Sequence, residues 1–151
     1  MCETVCKKGF GMTESTHHAS AVSVGESGVL VLGASGSGKS TLCLQLMSLG
    51  AHLIADDKTV LTVFGDEIWA KPPEKIAGLI EFRGVGVLTA AYTGAVIKLV
   101  IDLDQCEVKR LPELHNTVIL GQTLPCLYRV ENPAWPAAIM QILKHSRKNP
   151  T

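Results

Sequence analysis

The stretch Gly33 to Thr41, GASGSGKST, follows the apolar run GVLVL and limits what this chain can fold into more than any other feature. Gly33, Gly38, Lys39 and Ser40 satisfy the spacing G-x-x-x-x-G-K-[ST], in which glycines let successive backbone N–H groups turn inward around phosphate oxygens. The pattern needs a buried strand before it and a helix N-terminus after it, whose partial positive charge completes an anion site. Both flanks are present. Val29 to Leu32 reads as a buried strand, and Leu42, Leu46 and Leu49 recur at helical spacing before Gly50, a suitable C-terminal cap. Gly33, Ala34, Ser35, Gly36, Ser37, Gly38, Lys39, Ser40 and Thr41 are therefore the expected phosphate cradle. Lys39 is placed for the β- and γ-phosphates of a nucleotide, and the Ser40 hydroxyl for Mg2+.

The segment AHLIADD reads as the next strand, ending in Asp56 and Asp57. A strand, helix, strand unit makes its two strands parallel, so both end at the same edge of the sheet and the two acids emerge beside the phosphate loop. Successive strand residues face opposite ways, so one acid can address a metal and the other an incoming group. A carboxylate near a γ-phosphate can accept the proton of an attacking hydroxyl while Mg2+ and lysine stabilise the transferring charge. This is equipment for a kinase or a nucleotide hydrolase. The acceptor is left open by these residues: a protein hydroxyl, water or a small molecule would each fit.

At 151 residues with 46% hydrophobic content, the chain suffices for one core and one domain. Residues 1–16 lack a hydrophobic period and read as a disordered leader, and 17–151 as a single domain. Fourteen basic residues balance fourteen acidic ones, which leaves no net field to draw the chain to nucleic acid or an anionic membrane. No apolar run approaches the roughly 20 residues that span a bilayer. Cys2, Cys6, Cys43, Cys106 and Cys126 form an odd set without zinc-type pairs, and a cytoplasmic setting is expected. Further along, TVLTVF-GD-EIWAK reads as a hairpin, IAGLIEFRGVGVLTA as a mixed, glycine-rich segment, and AVIKLVIDL as a strong strand. An extended piece near Leu124 to Val130 and a helix from about Pro133 to Lys148 complete the chain.

Three stretches, GVLVLGASGSGKS, LGAHLIADD and LIEFRGVGVL, in that order and spacing, resemble the catalytic domain of the bacterial HPr kinase/phosphorylase family. The resemblance implies an α/β fold with a P-loop on a mixed sheet, like the core of phosphoenolpyruvate carboxykinase, and assembly as a hexamer. It implies phosphorylation of a serine of the phosphocarrier HPr with ATP and Mg2+, and removal of that phosphate by inorganic phosphate with release of pyrophosphate. On this resemblance Asp57 is the general base, Asp56 supports it, Lys39 binds the transferring phosphoryl group, and Ser40 and Glu81 hold the metal. The segment from Ile80 to Thr89, with Glu81 and Arg83 in EFRG where EIRG is more usual, corresponds to the family's second signature. His18 falls in the register of an active-site histidine, with Ala19 where glycine is common, and His17 does not. Arg110 in KRLPE matches an active-site arginine. Thr41 stands where the family commonly has a glutamate, and the resemblance leads us to expect a short form without the N-terminal domain of longer members and with a short, divergent C-terminal part.

The expectation is a serine kinase, bifunctional by resemblance, acting on HPr or a related phosphotransferase-system carrier. A nucleotide-sensing module without phosphotransfer and a small-molecule kinase are the alternatives. The Asp pair favours transfer, since a sensor needs only the loop and a metal ligand.

Overall fold

The computed structural model describes residues 13–145. Alternation of apolar side chains builds a nine-stranded mixed sheet in which β3 (Ser27–Leu32) and β9 (Ala95–Cys106) run parallel at the centre. Val29 and Val31 face one core while Leu30, one position out of phase, faces the other. The first core is covered by two helices, α1 (Lys39–Ser48) and α2 (Trp135–Lys144), through Leu42, Cys43, Leu46, Ile139 and Met140. The second lies on the opposite face of the sheet, with Leu61, Ile68 and Ala70 of the hairpin β5 (Thr59–Phe64) and β6 (Glu67–Lys71).

Strand β9 serves both cores by a bulge. Gly28 pairs with Ile97 but Val29 pairs with Leu99, so Lys98 is an extra residue. That insertion reverses the facing of the next residues along the strand, which is why Ile97 belongs to the hairpin-side core and Leu99 to the helix-side core.

The strands β3 and β4 (His52–Ala55) on either side of α1 are parallel, but they are not neighbours. Strand β2 (Ser20–Val24) lies between them and pairs antiparallel with both. The carboxyl ends of β3 and β4 and the amino end of β2 therefore meet at one edge of the sheet, which brings the phosphate loop, the acids and the residues before β2 together.

Three elements depart from the sequence reading. Strand β1 (Thr13–His17) begins inside the segment expected as a leader, pairing antiparallel with β5. Its mostly exposed side chains explain why no hydrophobic period announces it; residues 1–12 lie outside the described part, with Cys2 and Cys6 among them. The mixed glycine-rich segment is a separate ribbon of β7 (Leu79–Phe82) and β8 (Gly86–Thr89), anchored to the helix-side core by Ile80. Strand β10 (His115–Ile119) was not anticipated and pairs with β11 (Gln122–Arg129), which runs parallel to β9. Helix α2 starts at Trp135 with Pro136 in its first turn, and its expected last residues, 146–148, lie outside the described part. Among the described residues no helix is long and apolar enough to cross a membrane.

Candidate active site

The chain leaves β3 at Leu32 and enters α1 at Lys39. Between them two glycines are needed for different reasons. A Cβ on Gly33 would run into the Ser37 hydroxyl and lie 3.1 Å from the Cβ atoms of Ser37 and Leu103. Gly38 has φ 102, in the left-handed region that a side chain resists, and as N-cap it gives α1 no side-chain cap. The first-turn N–H groups of a helix have no intrahelical acceptor, so an uncapped N-terminus of this shape suits an anion. Buried Lys39 turns its ammonium back over the loop, donating to the carbonyls of Gly33 at 2.8 Å and Ala34 at 3.1 Å.

Two side chains outside the motif, Asp104 and Arg129, fix the loop. Ala34 N–H donates to Asp104 at 3.1 Å. Arg129 Nε donates to the Leu103 carbonyl at 3.1 Å, and its terminal nitrogen donates to the Ser37 carbonyl. Arg129 thus ties the loop to the sheet from the end of β11. Neither residue stands out in sequence, because both reach the loop through the parallel order of β3, β9 and β11.

The two acids have separate surroundings. Asp56 is buried, and its carboxylate accepts from Ser40 Oγ at 2.5 Å, Ser20 Oγ at 3.0 Å and the Glu81 N–H at 3.2 Å. Asp57 is the apex of a three-residue turn, with φ 70 and Lys58 N–H donating to the Asp56 carbonyl at 2.8 Å. That is γ-turn hydrogen bonding around a left-handed non-glycine residue, a conformation that costs about 1–3 kcal/mol and persists only where the surroundings impose it. Here the Asp57 N–H is held by Ser20 Oγ at 3.0 Å. Its side chain, 61% exposed, is met by His18 Nε2 at 2.7 Å. Since a carboxylate is an acceptor, that nitrogen carries the hydrogen. His17 bonds to Ser15 Oγ at 2.7 Å.

Ser20 is the residue that the sequence reading missed and the geometry makes central. Its one hydroxyl donates to Asp56 and accepts from Asp57, linking the two acids through a fully buried atom. Ser20 opens β2, two residues after His18, which lies in the bend before that strand. Ser20→Ala should leave the Asp57 N–H without its acceptor and remove a donor from Asp56, at about 1–3 kcal/mol. A thermal melt is expected to show Tm lower by several degrees, and an unchanged Tm would mean that Ser20 does not hold this turn.

A cleft of about 430 Å³ opens over the loop, lined by Lys39, Ser40, Asp57, Glu81 and Arg83 among others. The β7–β8 ribbon delivers Glu81 and Arg83 to it. Arg110 is elsewhere: it lines an apolar cavity with Pro112, Leu127 and Tyr128 against α2, apart from the loop. The loop after β9 carries it there, and Arg110 is not among the residues that line the cleft over the phosphate loop. Ser40, Asp56 and Glu81 offer oxygen only, a donor chemistry that suits a hard cation sharing its shell with phosphate and water. Among the described residues no cluster of three or more His, Cys, Asp or Glu forms a denser metal cage.

Beneath the loop, burial pushes the Cys43 thiol well above its ordinary range, with the Asp56 charge adding and Lys39 opposing. Burial, helped by Asp102, pushes Cys126 up to about 11. Both stay protonated at neutral pH, and the thiolate is the reactive form. Among Cys43, Cys106 and Cys126, an alkylating reagent on the folded chain is expected to modify exposed Cys106 alone, as peptide mass mapping would read. Modification of Cys43 would contradict its burial.

Comparison with known proteins agrees with this architecture. The profile of the HPr serine kinase C-terminal domain matches residues 11–118. The chain is 36% identical over 99 residues to HPr kinase/phosphorylase of Mycoplasmopsis pulmonis, covering 66% of this chain and 31% of that protein. It is 33% identical over 124 residues to HPr kinase/phosphorylase of an Exiguobacterium species, covering 73% of this chain and 40% of that one. The match thus spans less than half the length of these curated relatives. In three dimensions the HPr(Ser) kinase/phosphatase from Coxiella burnetii superposes with TM-score 0.73 at 23% identity, covering 86% of this chain and 88% of that chain, which shows a shared fold. With the profile spanning most of the sequence and the loop, acid pair and ribbon standing at one sheet edge, the chain belongs to the HPr serine kinase C-terminal domain family.

Proposed function

We propose that this chain is a serine kinase that transfers the γ-phosphoryl group of ATP, with Mg2+, to an HPr-like phosphocarrier, and that the same site runs the reverse reaction with inorganic phosphate. The observation that carries the proposal is the division of labour between the acids. Asp56 is buried and bonded to Ser40 at 2.5 Å, while Asp57 is exposed and oriented by His18 at 2.7 Å. A sensor would need the first arrangement only. An exposed carboxylate presented to solvent beside the loop suits a base that must meet the serine of another protein.

In the forward direction the N–H groups at the start of α1 receive phosphate oxygens, and Lys39 exchanges its carbonyl partners for the transferring group. Ser40 and Glu81 would hold the metal, with Asp56 fixing the Ser40 hydroxyl. A bound cation would supply charge neutralisation at the phosphates. Arg83 adds positive charge on the far wall. Asp57 accepts the serine proton as the serine oxygen attacks the γ-phosphorus and ADP leaves. In reverse, a phosphate oxygen attacks the phosphoserine phosphorus, and protonated Asp57 returns the proton to the departing serine oxygen, giving pyrophosphate and free carrier.

Incubation with labelled Mg-ATP and purified HPr, followed by phosphoamino-acid analysis, tests the forward step. Phosphoserine is the expected product, and label on histidine or on nucleotide products alone would oppose the reading. Phosphoserine carrier with Mg2+ and phosphate, without nucleotide, is expected to yield pyrophosphate. Its absence beside robust forward transfer would make the chain a dedicated kinase. Assembly as a homo-hexamer belongs to the same proposal, and sedimentation of the purified chain tests it.

A further inference from the structure

The phosphate loop has a second cavity on its other flank. It measures about 460 Å³ and shares Gly38 and Thr41 with the catalytic cleft. Its far wall comes from the turn between β11 and α2, with Asn132, Pro133 and Trp135, and its floor from Leu42 and Leu103. Residues 129–136, which build that wall, lie beyond the 11–118 stretch matched by the family profile.

Direction along the loop decides what could lie there. Asp57, Glu81 and Arg83 stand on the catalytic side, so a nucleotide with its terminal phosphate toward Asp57 must lead its remaining atoms out over the α1 N-terminus. That path ends at Gly38 and Thr41, the two residues common to both cavities. We propose that the second cavity is the nucleoside subsite, in which a purine base lies against Trp135 and Pro133; this deepens the kinase reading and rests on it.

The wall has the chemistry of a base site. An indole and proline offer flat apolar surface, and base stacking on an aromatic side chain contributes strongly without demanding a particular base edge. Asn132 adds directed polarity. Its side-chain oxygen is committed to the Ala134 N–H at 2.8 Å, which fixes the amide and leaves the NH2 end as the donor. The wall is also tied to the loop it serves. Arg129 lines this cavity while donating to the Ser37 carbonyl of the phosphate loop, so the phosphate and nucleoside parts are held by one side chain.

The test compares Mg-ATP with inorganic Mg-tripolyphosphate, which has the phosphates and no nucleoside, by titration calorimetry on the whole chain. Wild type is expected to bind ATP more tightly than tripolyphosphate. Trp135→Ala should weaken ATP about tenfold or more and leave tripolyphosphate unchanged, the range that loss of a stacked base gives. Trp135→Phe should retain most ATP affinity, and it guards against a variant that fails to fold. In a Trp69→Phe background, Trp135 fluorescence should change with ATP and not with tripolyphosphate. Equal ATP affinity in wild type and Trp135→Ala would overturn the subsite while leaving the phosphate site standing. Parallel loss of both ligands would make Trp135 a support of the loop and also overturn it. Wild type that binds neither ligand would remove the nucleotide reading itself, and the subsite with it.

Discussion

Lys39→Ala is expected to abolish measurable phosphoryl transfer in both directions, a loss of about 10³-fold or more. Fixed charge aimed at the transferring group is the largest contribution that such sites make, and Lys39 is the loop's one cation, buried to 6% exposure. The fold should survive. The Lys39 ammonium serves the carbonyls of Gly33 and Ala34, both on the partly open loop, where water can take its place. Circular dichroism should match wild type while the steady-state rate disappears. Full activity in a folded Lys39→Ala protein would remove the loop from the chemistry.

Asp57→Asn should lower transfer by about 10²-fold or more, the lower end of what a general base contributes, with nucleotide affinity unchanged. The amide keeps the shape of the turn and can still accept from His18, so the loss isolates the proton transfer. Asp57→Gly sharpens the test. Glycine relieves the left-handed backbone at φ 70, worth about 1 kcal/mol, so this variant should keep wild-type Tm or exceed it while losing the same activity. A position whose removal preserves stability and removes turnover is occupied for chemistry. Unchanged turnover in Asp57→Asn, measured with binding in the same preparation, would place the base elsewhere.

The features legible in the sequence were those that neighbours in the chain determine. The loop, the helix behind it and the strand ending in two acids are contiguous, and their spacing alone fixes the parallel β3 and β4. The insertion of β2 between them is a long-range choice that no local pattern records. It decides that His18 and Ser20 reach the acids, and only His18 was anticipated, through family register. Asp104 and Arg129 were missed for the same reason: each sits at the end of a strand whose parallel neighbour becomes known only from the assembled sheet. Arg110 was expected from a matching local context, and the loop after β9 sets it in the cavity against α2. Strands β1 and β10 escaped because backbone pairing, more than burial, holds them; their side chains are largely exposed or half-buried.

If the acid pair beside this loop makes the chain a transferase toward a carrier serine, the carrier itself must gain mass. Intact-mass spectrometry of HPr incubated with the chain and Mg-ATP, with nucleotide binding measured in parallel, reads that gain. One added phosphoryl group per carrier is expected, absent when the acceptor serine is replaced by alanine and absent with Asp57→Asn. Saturable nucleotide binding with HPr left unmodified would be the opposite result and would make the chain a nucleotide sensor.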